Sequence, residues 1–312
     1  MSDMKSLINS SRVIGRYAPS PTGALHLGNL RTALLAWLQV RVFDGEFLLR
    51  MEDLDTPRAV KGSASKILKD LEWLGLDWDG DVVYQSQRLS LYEESLEFLK
   101  ERDLIYPCYC SRKDIQQAAS APLNSPGVYP GLCRDLSSEQ QAERVLRKSP
   151  ALRFKVEGNL QASCGDFVVK RADNLFAYQL AVVVDDLDQS ISEVLRGADL
   201  EGSTDRQLYL AKVLKPEARL INYTHVPLML DEFGIRLSKR DGSLSVDEYI
   251  GKGGNAKQML AQFAVSLNLL ESCDEISANE LLELLKEKVK KRVLTKDCLF
   301  ISQMLDRYKT EE

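Results

Sequence analysis

The first fifty residues switch between two hydrophobic periods. Arg12-Val13-Ile14-Gly15-Arg16-Tyr17 reads as a short strand, and Pro19-Ser20-Pro21-Thr22-Gly23 follows as a turn-rich stretch. Leu30, Leu34, Leu35, Leu38 and Val42 then recur at helical spacing, which predicts a helix over about 29–43, closed by Gly45. Glu46 to Met51, rich in Phe and Leu, reads as a second strand. Strand, loop, helix, strand opens a βαβ unit, so the expected sheet is parallel with helices on its faces. Residues 64–74 and 90–101 read as further amphipathic helices. From Tyr106 to Val169 the pattern breaks into cysteines, a Pro, Ser and Gly-containing loop (121–131) and short strand candidates, as expected of an insertion between two halves of a sheet. The pattern resumes at 176–184, then 191–197, then a helix near 203–213 and an apolar strand candidate, Val226 to Leu230. From Val246 onward the chain reads as mostly helical. Internal repeats and low-complexity tracts are lacking.

Length and charge narrow this only slightly. At 312 residues the chain suits a main domain with insertions or a small second domain. A net charge of -5 is no nucleic-acid signature, but binding depends on a local basic face. One candidate face gathers Lys286, Lys288, Lys290, Lys291, Arg292 and Lys296; a solvated helix surface and an RNA contact are both open readings. An N-terminal secretory segment and a membrane-length apolar run are both missing, which predicts a cytoplasmic, reducing setting. In that setting Cys108, Cys110 and Cys133, clustered among six cysteines, are expected to be metal ligands rather than disulfide partners. Cys164, Cys273 and Cys298 are expected to be ordinary buried residues.

Three constellations carry chemistry. At the first strand-to-helix turn, His26-Leu27-Gly28-Asn29 follows the turn-rich stretch, and such a turn presents backbone N–H groups to an anion. Gly28 would let a nucleotide approach the backbone, and His26 would donate to charge growing on a phosphate. Alone, a histidine there is more often structural. The second constellation is the basic stretch Arg236-Leu237-Ser238-Lys239-Arg240-Asp241-Gly242, which could clamp polyphosphate or simply form a surface turn. The third is Cys108-x-Cys110 with Tyr129 and Cys133. Three thiolates and one oxygen can close a tetrahedral zinc site, although the C-x-C spacing is tight and a phenolic ligand unusual, so a metal-free cluster is the alternative.

Taken together, the first two constellations resemble the two signatures of the class I aminoacyl-tRNA synthetases, in order. Asn29 stands where the family usually has a second His, and Arg236 where it usually has Lys, both common in its glutamate and glutamine branch. Arg16 to Gly23, Arg50-Met51-Glu52-Asp53-Leu54-Asp55, Tyr178-Gln179-Leu180-Ala181, Val183-Val184-Asp185-Asp186 and Val194-Leu195-Arg196-Gly197-Ala198-Asp199 look like the glutamyl branch. Glutamate itself needs donors for two carboxylates and an anion for its ammonium. Arg16 and Arg196 offer bidentate forks, Glu52 a carboxylate and Tyr178 a hydroxyl, although structural ion pairing in a cleft would also use the charged members. The resemblance assigns these four positions, with Ala18 and Ser20, to glutamate. It assigns Ser20, Thr22, His26, Gly28, Asn29, Ser238 and Lys239 to ATP, with His26 and Lys239 as the catalytic pair.

The cysteine–tyrosine arrangement is similar to the zinc-binding insertion of the glutamyl-queuosine tRNA(Asp) synthetases, a group within that family. In the family this insertion faces the acceptor arm, and the metal would be structural. Val182, one helical turn after Tyr178, stands where discriminating glutamyl enzymes usually carry Asn, and implies weaker glutamate binding. The C-terminus comes soon after the second signature, so an anticodon-reading domain is not expected. The resemblance therefore implies an α/β, Rossmann-type parallel sheet with a small zinc-bearing insertion and a helical C-terminal part. The expected divisions are 1–105 and 171–245 for the two catalytic halves, 106–170 for the insertion and 246–312 for the helical segment. The implied reaction uses ATP, Mg2+ and L-glutamate. Glutamyl-adenylate forms first, and glutamate then passes to a hydroxyl of the queuosine base of tRNA(Asp), with one structural Zn2+ per monomer. The alternatives are a truncated glutamyl-tRNA synthetase, a small-molecule nucleotidyltransferase and a non-catalytic RNA-binding relative.

Overall fold

The structure, a computed structural model, describes residues 12–119, 128–227 and 245–290. The chain divides into two compact units. Among the described residues, the first takes 12–84, 191–201, 221–227 and 245–290.

The first unit is built on five strands numbered along the chain: β1 (Ile14–Tyr17), β2 (Glu46–Met51), β3 (Val83–Tyr84), β7 (Glu193–Gly197) and β8 (Asn222–Val226). They pair in the order β3-β2-β1-β7-β8, every pair parallel. Because side chains alternate along a strand, the sheet has two unlike faces. Tyr17, Phe47, Leu49, Met51, Leu195 and Val226 join one hydrophobic core with α1 (Leu27–Arg41). Ile14, Leu48, Val194 and Tyr223 form a smaller cluster with Ile191 and Ile221, on the opposite face. Arg16, Arg50, Arg196 and His225 continue the rows of that second face toward the carboxyl ends of the strands.

Helix α1 is buried nearly all round, from Ala33 to Val40 without a break. One side lies on the sheet. The other meets α10 (Ala256–Ser266) and α11 (Ala278–Lys290) through Met259, Leu260, Phe263, Leu281 and Leu285 in the same core. A helix apolar on every side needs cover on every side, and the C-terminal helices give it. A Cβ on Gly15 would sit 2.4 Å from the Val40 side chain and 3.2 Å from the Glu193 carbonyl, so glycine lets β1 pass close beneath the helix.

The second unit takes 85–190 and 202–220. Its sheet is antiparallel, in the order β4 (Ile105–Cys108), β5 (Ala151–Phe154), β6 (Phe167–Lys170). Around it run α3 (Leu89–Glu101), α4 (Arg112–Ala119), α5 (Ser138–Val145), α6 (Leu160–Ser163), α7 (Tyr178–Asp188) and α8 (Thr204–Leu214). Fully buried Asp185 of α7 accepts from Gln85 Nε2 at 2.8 Å, Arg88 Nε at 2.7 Å and the Tyr92 hydroxyl at 2.9 Å. This charge-assisted set ties α7 to the start of α3, and removing one donor would leave a buried anion under-satisfied.

Several elements differ from their expected positions. Helix α1 starts at Leu27, two residues early, because His26 and Asn29 cap it reciprocally. The last strand of the parallel sheet is Asn222–Val226, ending where the expected one begins. Pro227 cannot donate to a ladder, and residues 228–230 lie outside the described set. Expected helix beyond 246 is found as α9 (Val246–Gly251), α10 and α11. Lys286 pairs with Asp44 at 2.7 Å and Lys288 donates to the Leu269 carbonyl at 2.8 Å, so these two lysines fasten α11. Cys164 is buried as expected. Cys273 is not: it is half-exposed, its thiol donating to the Glu275 carbonyl at 3.2 Å. Cys298 lies outside the described residues. Among those described, no helix is long and apolar enough to cross a membrane.

Candidate functional site

The strand order reverses direction at β1, where β2 follows on one side and β7 on the other. Crevices outside the carboxyl ends of strands at such a switch point are the usual ligand sites of open parallel sheets. Arg16, 5% exposed, lies near the end of β1, and Arg196, 4% exposed, near the end of β7. Gly15 pairs with Glu193, so Ala18 and Arg196 reach the same level three residues on. Glu52 follows β2, and its backbone N–H donates to the Pro19 carbonyl at 3.0 Å. Its carboxylate stands 3.7 Å from the guanidinium of fully buried Arg50. Arg16, Ala18, Ser20, Glu52 and Arg196 thus gather at one end of one sheet. Tyr178 is the first residue of α7 in the second unit, and Val182, one turn on, is fully buried.

The loop from β1 to α1 is held by its backbone. Thr22 N donates to the Ser20 carbonyl at 2.8 Å. Ser63 Oγ accepts from Gly23 N at 2.9 Å and donates to Gly23 O at 2.7 Å. Ser20 and Thr22 are exposed. His26 caps α1, its Nδ1 accepting the Asn29 N–H at 3.3 Å while Asn29 Oδ1 accepts the His26 N–H at 3.4 Å. This is a capping box built from His and Asn. With Nδ1 accepting, the neutral ring carries its hydrogen on Nε2. Gly28 lies inside the first helical turn rather than in the preceding loop.

Ser238 and Lys239 lie outside the described residues, but the chain on either side of that stretch is fixed. The Pro227 carbonyl accepts from Arg31 Nη2 at 2.6 Å, and Ser245 makes an antiparallel bridge with His26. The described chain thus stops at Pro227 and resumes at Ser245 beside the first turns of α1.

Arg196 is fixed from β8. The register sets Arg196 beside His225 and Val194 beside Tyr223. Arg196 Nε donates to His225 Nε2 at 3.1 Å and Nη2 to the Leu200 carbonyl at 3.1 Å. Its guanidinium carbon lies 4.5 Å from the centre of the Tyr223 ring. Burial and the Arg196 charge hold the His225 pKa below its ordinary value.

In the second unit, Cys108 ends β4 and Cys110 follows it, while Tyr129 and Cys133 come from the 128–134 turn. The three sulfurs lie within 4.8 Å of one another, a grouping that could hold a metal ion. Cys110 and Cys133 are 3.5 Å apart; the Tyr129 oxygen is 3.4 Å from Cys108 Sγ and 3.5 Å from Cys110 Sγ. Arg153 stacks on the Tyr129 ring at 3.7 Å and donates from Nε to Cys108 Sγ at 3.2 Å. Burial works against the Cys108 thiolate, but the bonds from Tyr129 and Arg153 outweigh it and the pKa falls. Burial pushes Cys110 up, to about 12. Gly165 admits the Tyr129 loop, since a Cβ there would lie 2.6 Å from Val128 and 3.1 Å from Tyr129 N. With φ at +63°, that backbone also favours glycine.

Residues 12–281 match the model of the family described as tRNA synthetases class I (E and Q), catalytic domain. A glutamyl-Q tRNA(Asp) synthetase of Nocardia farcinica is 49% identical over 267 residues, covering 82% of this chain and 85% of its own. One from Prochlorococcus marinus is 44% identical, covering 88% of each. The chain belongs to the class I tRNA synthetases (E and Q). A solved glutamate tRNA ligase from Elizabethkingia meningosepticum, in complex with its amino acid, shares 25% identity and superposes with a TM-score of 0.70. This chain spans 64% of that ligase's length and 88% of its own is covered. Within this class I synthetase, sequence reasoning passed over Arg50 and His225. Arg50 opens the Arg50-to-Asp55 motif, where nothing in the sequence marks it as buried. His225 fell just before the strand drawn at Val226, although Tyr223-x-His225 alternating with buried Thr224 and Val226 is a period-two signal.

Proposed function

We propose that this synthetase activates L-glutamate with ATP and transfers it to the queuosine base of tRNA(Asp). The observation that carries the amino-acid half is the sheet face on which Arg16, Arg196 and Glu52 meet at the switch point. Two buried arginines suit the two carboxylates of glutamate, and Glu52 suits its ammonium. Ala18 and Ser20 lie at the same end of that sheet, and the family resemblance supports Tyr178 as a hydroxyl donor to glutamate. The relatives named glutamyl-Q tRNA(Asp) synthetase support the acceptor half.

In the first step an oxygen of the glutamate α-carboxylate attacks the ATP α-phosphorus, the bond to the β-phosphate breaks, and pyrophosphate leaves. Glutamate brings the nucleophile, so the chain's task is positioning and charge stabilisation. His26 Nε2–H, Lys239, the Gly28 backbone N–H and the Asn29 side-chain amide hold the phosphates, with Ser20, Thr22 and Ser238 as further donors. Mg2+ neutralises phosphate charge when bound with ATP. In the second step a hydroxyl of the queuosine cyclopentene diol attacks the adenylate carbonyl. An ester forms, AMP leaves, and the hydroxyl proton is lost.

Cys108, Cys110, Cys133 and Tyr129 would hold one structural zinc ion. A tetrahedral site with ordinary zinc distances has S···S edges of ~3.8 Å and S···O edges of ~3.5 Å. Cys110 to Cys133 at 3.5 Å, and Tyr129 at 3.4 Å and 3.5 Å from two sulfurs, lie close to those edges. All four positions are filled by side chains, which suits a structural ion. A cytoplasmic setting suits both free thiols and the substrates.

The test is ATP–pyrophosphate exchange across the twenty amino acids, with tRNA present. Exchange with glutamate alone is the expected result. Exchange with another amino acid, or with none, would overturn the reading.

A further inference from the structure

We propose that His225 is a positioning residue for Arg196: its Nε2 accepts the Arg196 Nε–H and, with the Tyr223 ring, fixes the plane of the guanidinium that receives a substrate carboxylate. The proposal rests on the reading of Arg196 as a glutamate ligand. That plane is held by contacts that include the 3.1 Å bond to His225, the 3.1 Å bond to the Leu200 carbonyl and the Tyr223 ring at 4.5 Å. Tyr223 and His225, two residues apart on β8, present rings only 7° from parallel with centres 6.4 Å apart. A flexible side chain that must bind a planar carboxylate gains most from being oriented beforehand, because little is then left to order on binding.

The chemistry of the acceptor matters as much as its position. An aspartate or glutamate beside Arg196 would also accept its Nε–H, but would cancel the charge that attracts the substrate. A neutral imidazole accepts without subtracting charge. Its lone pair on Nε2 requires the hydrogen on Nδ1. Burial and the neighbouring guanidinium both favour that neutral ring. In this proposal His225 acts through Arg196 rather than on a reacting atom.

The experiment compares His225→Phe, His225→Gln, His225→Glu and Arg196→Ala with wild type in glutamate-dependent ATP–pyrophosphate exchange with tRNA present, alongside each protein's melting temperature. Phe keeps a ring beside Tyr223 and removes the acceptor; Gln keeps a neutral acceptor; Glu keeps an acceptor and adds a charge. The glutamate KM of His225→Phe should rise about tenfold, with kcat and the ATP KM within about twofold of wild type. His225→Gln should recover most of that loss, and His225→Glu should not. A glutamate KM unchanged in His225→Phe, or equal defects in the Gln and Phe variants, would overturn the proposal. If His225→Phe does not fold, a His225→Glu variant with wild-type glutamate KM would overturn it equally. Arg196→Ala separates the two readings. If it leaves the glutamate KM unchanged, the glutamate site itself is wrong; if it raises the KM while His225→Phe does not, only the role of His225 fails.

Discussion

The two histidines of this chain use their rings in opposite senses. His26 accepts at Nδ1 and so keeps a donor at Nε2; His225 accepts at Nε2 and so keeps its hydrogen at Nδ1. His225 is acted on by Arg196 from β7, by Glu201 from the turn that follows and by Tyr223 on its own strand, and burial and Arg196 dominate. Its folded pKa is therefore below the unfolded 6.5. The stability it contributes is complete above 6.5 and is lost as pH falls through the folded value. Protonation would also turn the acceptor into a second cation beside Arg196. The glutamate KM should accordingly rise on acidification below 6.5 in wild type and stay flat in His225→Gln, as read from KM against pH. At the other histidine, Asn29→Ala removes half of the cap on α1 and should lower stability by about 1 kcal/mol in denaturant titration. Lys239→Ala should depress adenylate formation while leaving the melting temperature unchanged.

At the scale of elements, the helix that carries Tyr178 also carries the clearest substitution test. Val182 is fully buried, so Val182→Asn would bury an amide with no partner assured and should lower the melting temperature. On the reading that position 182 faces the substrate, the amide would also raise glutamate affinity; calorimetry that finds it unchanged would contradict that reading. If Tyr129 and Cys133 help to hold zinc, as proposed, their turn depends on the metal. Cys133→Ser should reduce bound zinc from about one per chain toward none, and chelation of wild type should lower its melting point. Elements read well where a strong period met a clear stop. The strand before the turn-rich loop and the helix through Leu30, Leu34 and Leu38 are both found, as are short strands after the break in pattern near the cysteines. Helix α1 starts earlier than the apolar spacing predicts because His is not a usual cap, and its Nδ1 does the work of a Ser or Asp oxygen. The strand β8 was drawn too late because an unbroken apolar run outweighed a shorter alternation that Pro227 ends.

For the molecule as a whole, parallel pairing was legible from the βαβ start, whereas the two unlike sheet faces were not. A motif gives residues in order along the chain; only strand order and register reveal that Arg16, Glu52 and Arg196 share one end of one face, with His225 beside Arg196. The acceptor of glutamate is the part of the account furthest from those contacts, so it deserves the most direct test. The purified protein is given ATP, Mg2+ and labelled glutamate with tRNA from cells that make queuosine and from cells that cannot, and the labelled species are separated. The account predicts label on tRNA(Asp) from the queuosine-making cells alone. Label on tRNA(Glu) from either pool would contradict it.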